Sequence, residues 1–225
     1  MLDDYPWESE LWSGPFPAPG EGTLVAVEGP HGSGKSTTVQ ALVDVLTQRG
    51  VDCVPTKEPT ATSIGDFVRE ISETVSGNAL AALVAGDRWN HVETVIAPAL
   101  IRDAVVVTDR FVPSSLVLQT LDGVPLSYIT AINRGLPTPA LTLFLDCSDD
   151  VLAERRARRR GSTRFERQGD VALEGRLYRA VSDRLSKHCL PRILVCDSEA
   201  MSPIAIAENA ASRIQAIRAQ AVLAR

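Results

Sequence analysis

A glycine-rich octapeptide, Gly29-Pro30-His31-Gly32-Ser33-Gly34-Lys35-Ser36, separates a short run of β-branched residues from a stretch with helical periodicity. The run before it, Thr23–Glu28, predicts a strand buried on both faces, and the stretch from Lys35 to about Arg49 predicts a helix. Glycines at this spacing let backbone N–H groups point toward one spot, where the first turn of the helix adds the positive end of its dipole. The octapeptide therefore has the pattern of a Walker A loop, which cradles the phosphates of a nucleotide.

The Walker A pattern gives its residues specific roles. The Lys35 ammonium is expected to reach the β- and γ-phosphates of ATP, and the Ser36 hydroxyl is expected to bind Mg²⁺. We therefore expect ATP as the phosphate donor and Mg²⁺ as the cofactor. The predicted ATP-binding residues are Gly29, Pro30, His31, Gly32, Ser33, Gly34, Lys35, Ser36 and Thr37.

Strand and helix patterns alternate along the rest of the chain. Further strands are predicted at Val51–Thr56, Val105–Thr108, Leu141–Leu145 and Arg192–Val195. Helices are predicted at about 62–77, 79–102, 113–121 and 126–134, from Asp149, at about 167–187 and from 202 onward. Such alternation predicts an α/β fold of three layers, with a five-stranded parallel sheet covered by helices on both faces. Ligands of these folds bind beyond the carboxyl ends of the strands.

Composition and charge narrow the class of protein. The 225 residues include 23 Lys and Arg against 28 Asp and Glu, a net charge of −5. The pI near 5.3 argues against a nucleic-acid partner, and no apolar run is long enough to span a membrane. The cysteines have no zinc-site spacing, which favours reduced thiols in a cytoplasmic protein. Residues 1–22 are rich in proline, glycine and aromatic residues, and we expect them to be an N-terminal extension of a domain at 23–225.

An acidic residue and an arginine directly follow the most apolar predicted strand. Asp109 and Arg110 come after Val105–Thr108. An acid at this position beside a phosphate-binding loop is the Walker B arrangement, in which the carboxylate positions Mg²⁺ or its water ligands. Ser36 and Asp109 are therefore the predicted metal ligands, and Arg110 is predicted to hold a transferable phosphate. The alternative interpretation of the two residues is an ion pair on the surface.

Six arginines crowd one later segment of the chain: Arg155, Arg156, Arg158, Arg159, Arg160 and Arg164. Phosphoryl transfer spreads negative charge over the phosphate oxygens, and arginines on a closing lid stabilise that charge. We therefore predict a short, arginine-rich lid at about 150–168, with Arg159 and Arg164 as its catalytic arginines. A nucleic-acid-binding patch is the alternative, but the segment lacks the interleaved aromatic residues of such patches.

Several short motifs occur in a fixed order along the chain. They are Val27-Glu28-Gly29, Thr56-Lys57-Glu58-Pro59, Ile64-Gly65, Ala85-Gly86-Asp87-Arg88, His91-Val92, Ile96-Ala97-Pro98-Ala99-Leu100, Asp109-Arg110-Phe111, Ser114-Ser115, Gln119, Leu143–Asp146 and Arg164-Phe165-Glu166. From about Thr23 to the C-terminus the chain therefore resembles the thymidylate kinases of the bacterial type. The resemblance implies the P-loop kinase fold, transfer of phosphate from ATP to the nucleoside monophosphate dTMP, and a homodimer.

The resemblance also implies roles for the residues that match these motifs. Arg88 resembles the arginine that hydrogen-bonds the pyrimidine base, Arg110 the arginine that grips the acceptor phosphate, and Asp109 the acid beside the reacting phosphates. The implied acceptor-binding residues are His31, Glu58, Arg88, Arg110, Ser114, Ser115 and Gln119. The predicted catalytic residues are Lys35, Asp109, Arg110, Arg159 and Arg164.

The chain departs from the pattern of this family around the acceptor. The family carries an acid where this chain has His31, and aromatic residues where it has Val84 and Leu118. It carries an Asp at the position of Thr163 and an Arg at that of Lys57. A base that loses an aromatic partner loses about 1–3 kcal/mol of stacking free energy. We therefore expect dTMP as the first acceptor to test, with another nucleotide or a phosphorylated metabolite as the alternative.

Two other functions compete with the transfer of phosphate to a monophosphate. A kinase that phosphorylates a hydroxyl group needs a carboxylate base near that hydroxyl, and Glu58 is the well-placed candidate. A nucleotide-dependent switch or ATPase would hydrolyse ATP without any acceptor. A substrate panel separates the three.

Overall fold

The computed structural model describes Leu11 and residues 22–158, 163–188 and 193–223. Its sheet has five strands: β1 (Thr23–Glu28), β2 (Cys53–Lys57), β3 (Val105–Asp109), β4 (Leu141–Asp146) and β5 (Ile193–Asp197). The strands lie in the order β2-β3-β1-β4-β5, and every pairing is parallel. The predicted five-stranded parallel sheet is confirmed.

Helices cover both faces of the sheet. They are α1 (Lys35–Gln48), α2 (Ser63–Ile71), α3 (Gly77–His91), α4 (Ala97–Ile101), α5 (Val112–Leu121), α6 (Leu126–Ile132), α7 (Asp149–Ala157), α8 (Arg164–Gln168), α9 (Val171–His188) and α10 (Pro203–Leu223). A π-helical turn, Val92–Ile96, joins α3 to α4. Pro98 has no N–H to donate to the preceding turn, so a single regular helix through this region is unfavourable.

The first strand shows how one sheet organises two apolar cores. Successive side chains of a strand point to opposite faces. Leu24 and Ala26 therefore pack under α3, α5 and α9, whereas Val25 and Val27 pack under α1 and α10. All four side chains are at most 3% exposed, as expected for a parallel sheet covered on both faces.

The long helix predicted at about 167–187 is α9, which begins later, at Val171, and is preceded by the separate short helix α8. Thr163 caps α8 in a capping box with Glu166, and α8 ends at Gly169, whose backbone is extended. The Asp170 carboxylate then accepts the backbone N–H groups of Ala172 and Leu173 at the start of α9. These local hydrogen bonds satisfy backbone N–H groups at the starts of the two helices. Apolar periodicity alone does not show where such helix ends lie.

Two residues of the predicted extension at 1–22 are described, Leu11 and Gly22. The Leu11 side chain is fully buried in the core that also contains Leu24 and Ile96. The remainder of the extension lies outside the described residues. No helix in the described part of the chain is long and apolar enough to cross a membrane.

Candidate active site

The phosphate-binding loop connects the carboxyl end of β1 to the first turn of α1. All three of its glycines have backbones that other residues rarely adopt, with φ of 143° at Gly29, 90° at Gly32 and 94° at Gly34. A β-carbon at Gly29 would also lie 2.5 Å from the carbonyl oxygen of Leu145. The loop therefore requires glycine for its shape, and α1 opens with backbone N–H groups that have no partner within the helix. Such an arrangement is suited to bind an anion.

Lys35 lies inside this loop. Its ammonium donates hydrogen bonds to the carbonyl oxygens of Gly29 (2.9 Å) and Pro30 (2.8 Å). Burial, together with the positive charge of Arg110, lowers the pKa of Lys35 to about 7. An approaching phosphate would favour the charged form of this lysine, so binding of an anion and protonation of Lys35 reinforce each other.

The two predicted metal ligands lie side by side. The Ser36 hydroxyl, in the first turn of α1, donates a hydrogen bond of 2.6 Å to the carboxylate of Asp109, the last residue of β3. Hard oxygen ligands of this kind suit Mg²⁺, which takes one or two protein ligands and fills its remaining positions with water and phosphate oxygens. The pair therefore fits the ion. When bound, Mg²⁺ neutralises charge on the phosphates.

His31, at the tip of the loop, is held by a carboxylate from α9. Glu174 accepts both the His31 backbone N–H (2.9 Å) and a hydrogen bond from ring Nδ1 (2.9 Å) through the same oxygen. Arg156 pairs with the other Glu174 oxygen and donates to the His31 carbonyl oxygen at 2.9 Å. Burial and the charge of Arg110 lower the pKa of His31 to about 4. Burial alone would raise the pKa of Glu174, but its hydrogen bond with His31 and the charge of Arg156 lower it to about 2. The pair is therefore a neutral imidazole beside an ionised carboxylate.

Arg110 has a strained backbone and a fixed side chain. Its φ of 77° lies in the left-handed region, which costs a residue other than glycine about 1–3 kcal/mol. One guanidinium nitrogen donates to the hydroxyl groups of Ser114 (2.9 Å) and Tyr178 (2.8 Å). Ser114 in turn donates to Glu28, whose pKa burial raises to about 7. Such strain persists where surrounding contacts hold a functional side chain in place.

Arg88 and Glu58 form a buried ion pair with a Nε–Oε2 distance of 2.7 Å. Arg88 also donates to the side-chain oxygen of Asn133 (2.6 Å) and to the carbonyl oxygen of Phe111 (3.3 Å). The other Glu58 oxygen lies 3.1 Å from Nδ1 of His91. Both oxygens of Glu58 are thus engaged, which argues against Glu58 as a free base for a hydroxyl group.

Two cavities meet at the loop. The larger, of about 920 Å³, is the phosphate cavity, and it runs along the loop, Asp109 and Arg155 to the segment that precedes α10. The smaller, of about 130 Å³, is the acceptor cavity. Its walls come from the loop, from the segments that follow β2 and β3, and from α2, α3, α5 and α8 with the residues next to these helices: His31, Glu58, Pro59, Val68, Arg69, Ser72, Leu80, Val84, Arg88, Arg110, Ser114, Ser115, Leu118, Gln119, Thr163 and Phe165. All seven predicted acceptor-binding residues line this cavity.

The arginines of the predicted lid separate into different roles. Arg155 lines the phosphate cavity and donates to the carbonyl oxygens of Gly32 (3.4 Å) and Ser198 (2.9 Å). Arg158 is exposed and pairs with Glu154 on its own helix. Arg159, predicted to be catalytic, and Arg160 lie outside the described residues.

The other predicted catalytic arginine, Arg164, points elsewhere. Its guanidinium binds both carboxylate oxygens of Asp122 (2.8 and 2.7 Å) and the carbonyl oxygen of Ser72 (2.8 Å). The described residues that line the phosphate cavity do not include it. For this guanidinium, a bidentate hydrogen bond to a half-buried carboxylate is more favourable than an exposed position. The structure therefore does not bring Arg164 close to Lys35 and Asp109.

Two residues of α9 belong to the site although the sequence motifs did not indicate them. Glu174 holds His31 and Tyr178 holds Arg110. They are four residues apart, on the same stripe as the buried Leu177 and Val181. Polar residues at apolar positions of an amphipathic helix were therefore the available signal.

Sequence comparison agrees with this geometry. Residues 27–209 match the family model described as "Thymidylate kinase". The chain belongs to the thymidylate kinase family. It is 39% identical over 153 residues, 67% of each chain, to the thymidylate kinase of Xanthomonas campestris pv. campestris strain B100. It is 37% identical over 191 residues to that of an Exiguobacterium species, covering 79% of this chain and 87% of the relative.

Membership of the thymidylate kinase family confirms the resemblance found in the motifs and makes the protein a phosphotransferase. The family match spans β1 to the first third of α10, so it includes the loop, both cavities and α9. The departures at His31, Val84 and Leu118 are consequently differences within a member of the family.

Proposed function

We propose that this member of the thymidylate kinase family transfers the γ-phosphoryl group of ATP to the phosphate of dTMP. The observation that carries the proposal is the meeting of the two cavities, because His31 and Arg110 line both. A guanidinium at that junction can hold the acceptor phosphate next to the terminal phosphate on the loop. In-line transfer requires this proximity.

The groups around the junction suit the charges of the reaction. Lys35 and the first turn of α1 would bind the phosphates of ATP, and Ser36 and Asp109 would hold Mg²⁺. The acceptor phosphate is an anion at pH 7, so its oxygen can attack without a protein base. The engagement of both Glu58 oxygens fits a reaction of this kind better than transfer to a hydroxyl group.

Two polar groups in the acceptor cavity suit a thymine or uracil edge. A guanidinium has five N–H groups, and three of those of Arg88 serve Glu58, Asn133 and Phe111. Two therefore remain for a carbonyl oxygen of the base. The Gln119 side-chain oxygen is buried, and no donor in the described part of the chain reaches it. A base N–H would satisfy it, and thymine and uracil present an N–H beside a carbonyl.

The test is an acceptor screen with ATP and Mg²⁺, comparing dTMP, dUMP, dCMP, dGMP and dAMP with thymidine. We expect dTMP and then dUMP to give the highest kcat/KM. Phosphorylation of thymidine but not of dTMP would instead identify a hydroxyl kinase. Release of phosphate that no acceptor stimulates would identify an ATPase.

The proposal includes a homodimer, which the family resemblance implies. Helix α2 leaves Ile64 and Phe67 exposed, and apolar side chains on an exposed helix are typical of the centre of a subunit interface. Light scattering should give a mass about twice that of the 24.2 kDa chain. A monomer at micromolar concentration would contradict this part of the proposal.

A further inference from the structure

The acceptor cavity contains a single large aromatic side chain among the described residues that line it. Most of the apolar wall is aliphatic and includes Leu80, Val84 and Leu118. Phe165, from the short helix α8, is the exception. A nucleobase presents a flat π face, and stacking on an aromatic ring is the interaction that most strongly holds such a face. Phe165 is therefore the lining residue best suited by its chemistry to hold a base.

The position of the Phe165 ring is fixed from two sides. The Thr163–Glu166 capping box sets the backbone of α8, and the Arg164 guanidinium lies over the ring, 4.4 Å from its centre. Arg164 is itself tied to Asp122 by two hydrogen bonds and to the carbonyl oxygen of Ser72. A cation on one face of a ring stabilises its orientation.

The two anchors of Arg164 directly follow helices that line the acceptor cavity. Asp122 directly follows α5, the helix that carries Ser114 and Gln119, and Ser72 follows α2 and lines the cavity. The ring is therefore positioned relative to the acceptor-binding helices. The described lining residues of the phosphate cavity include Thr163 and Glu166 of the capping box but neither Phe165 nor Arg164.

We propose that Phe165 supplies the aromatic face on which the acceptor base stacks, and that the Asp122–Arg164 pair is the positioning device for this ring. The inference rests on the proposed function. It assigns the base-stacking role to α8, whereas the family pattern would place the stacking aromatic residue at the position of Val84, on α3.

The test measures dTMP binding by calorimetry without ATP, and KM for dTMP and ATP separately. Phe165→Ala should weaken dTMP binding about tenfold to a hundredfold, the range found when a stacked aromatic is removed, and should leave KM for ATP within twofold. Phe165→Tyr should bind dTMP like the wild type, because the aromatic face is kept. Ile101→Ala, which removes an exposed apolar side chain at the end of α4 that lines neither cavity, is the control and should change neither value.

Further variants test whether Phe165 takes the role of the aromatic residue that the family carries at the position of Val84. Val84→Phe introduces an aromatic ring on α3, where it lines the same cavity, so the double variant Phe165→Ala/Val84→Phe should recover dTMP binding relative to Phe165→Ala alone. Asp122→Ala frees Arg164 while keeping the ring, and should raise KM for dTMP by a few-fold with kcat nearly unchanged.

Two results would overturn the inference. Unchanged dTMP binding in Phe165→Ala would show that the ring does not touch the base. Tighter binding would show that the ring competes with the base for the cavity. Either result in an enzyme that still phosphorylates dTMP leaves the proposed function intact. A wild type that neither binds nor phosphorylates any monophosphate would instead contradict the proposed function itself.

Discussion

The Nδ1 atom of His31 lies 2.9 Å from a carboxylate oxygen of Glu174, and the same oxygen accepts the His31 backbone N–H. Arg156 occupies the second oxygen. The tip of the phosphate-binding loop is thus fixed to α9 and, through Arg156, to α7. Glu174 is 1% exposed, so these hydrogen bonds form away from water and cannot be replaced by it.

Removing the Glu174 carboxylate should destabilise the protein strongly. Glu174→Ala leaves Arg156 buried without its counter-charge, and breaking a buried pair in this way costs about 3–5 kcal/mol of the free energy of unfolding. Urea denaturation measures the change. Glu154→Ala breaks the exposed Arg158–Glu154 pair and is the control, with an expected loss of about 1 kcal/mol or less. Equal losses in the two variants would contradict the role given to Glu174.

The histidine of this pair should make stability depend on pH. Burial lowers the pKa of His31 from 6.5 to about 4, so between these pH values the unfolded chain binds a proton that the folded protein does not. Its contribution is therefore fully present above pH 6.5 and is lost as pH falls toward 4. Between pH 7 and pH 4, the free energy of unfolding of His31→Gln should therefore fall by about 1–3 kcal/mol less than that of the wild type. His188→Gln, at the exposed end of α9, should follow the wild type in urea titrations at pH 7 and pH 4. If the free energies of unfolding of the wild type and His31→Gln changed equally between pH 7 and pH 4, the prediction would be refuted.

Local patterns in the sequence predicted the donor half of the site. The bounds of β1 and the start of α1 agree with the structure, because consecutive β-branched residues and a glycine-rich loop each specify their conformation locally. Asp109 and Arg110 were placed correctly beside the loop, since the end of a buried parallel strand has one location in such a sheet.

The motifs also indicated seven of the residues that line the acceptor cavity, but the contacts that hold those residues in place join distant segments, which local patterns do not encode. Glu174 lies 143 residues from His31, and Tyr178 lies 68 from Arg110. Arg164 was predicted to be catalytic from its place in an arginine-rich segment. Its bidentate contact with Asp122 depends on how α8 packs against the end of α5, and the charge pattern carries no information about that packing.

Tyr178 should tune the grip on the acceptor phosphate. Its hydroxyl accepts a hydrogen bond from Arg110 at 2.8 Å and lies 2.9 Å from the Ser114 hydroxyl. Burial raises the pKa of Tyr178, so the phenol stays neutral. Tyr178→Phe keeps the ring and loses one hydrogen bond to a charged group, which should raise KM for dTMP by a few-fold to about tenfold. KM for ATP should change little. Tyr128→Phe, on α6, is the control in the same steady-state assay, and an unchanged KM for dTMP in Tyr178→Phe would count against the contact.

Arg110 is the residue whose loss should separate the two halves of the reaction. Arg110→Ala keeps a side chain at a backbone φ of 77°, so its strain persists, but it removes one of the two guanidinium groups that line both cavities, those of Arg69 and Arg110. Without that group the acceptor phosphate is no longer held in line, and kcat/KM for dTMP should fall at least about a hundredfold, the effect of misplacing a reacting group. ATP affinity, measured by calorimetry, should change by less than threefold, because Lys35 and the first turn of α1 remain. Arg102→Ala, which removes an exposed arginine paired with Asp52, should behave as the wild type. If Arg110→Ala lost ATP affinity and kept turnover at saturating ATP, Arg110 would belong to the donor site, and the meeting of the two cavities would no longer support transfer to a monophosphate.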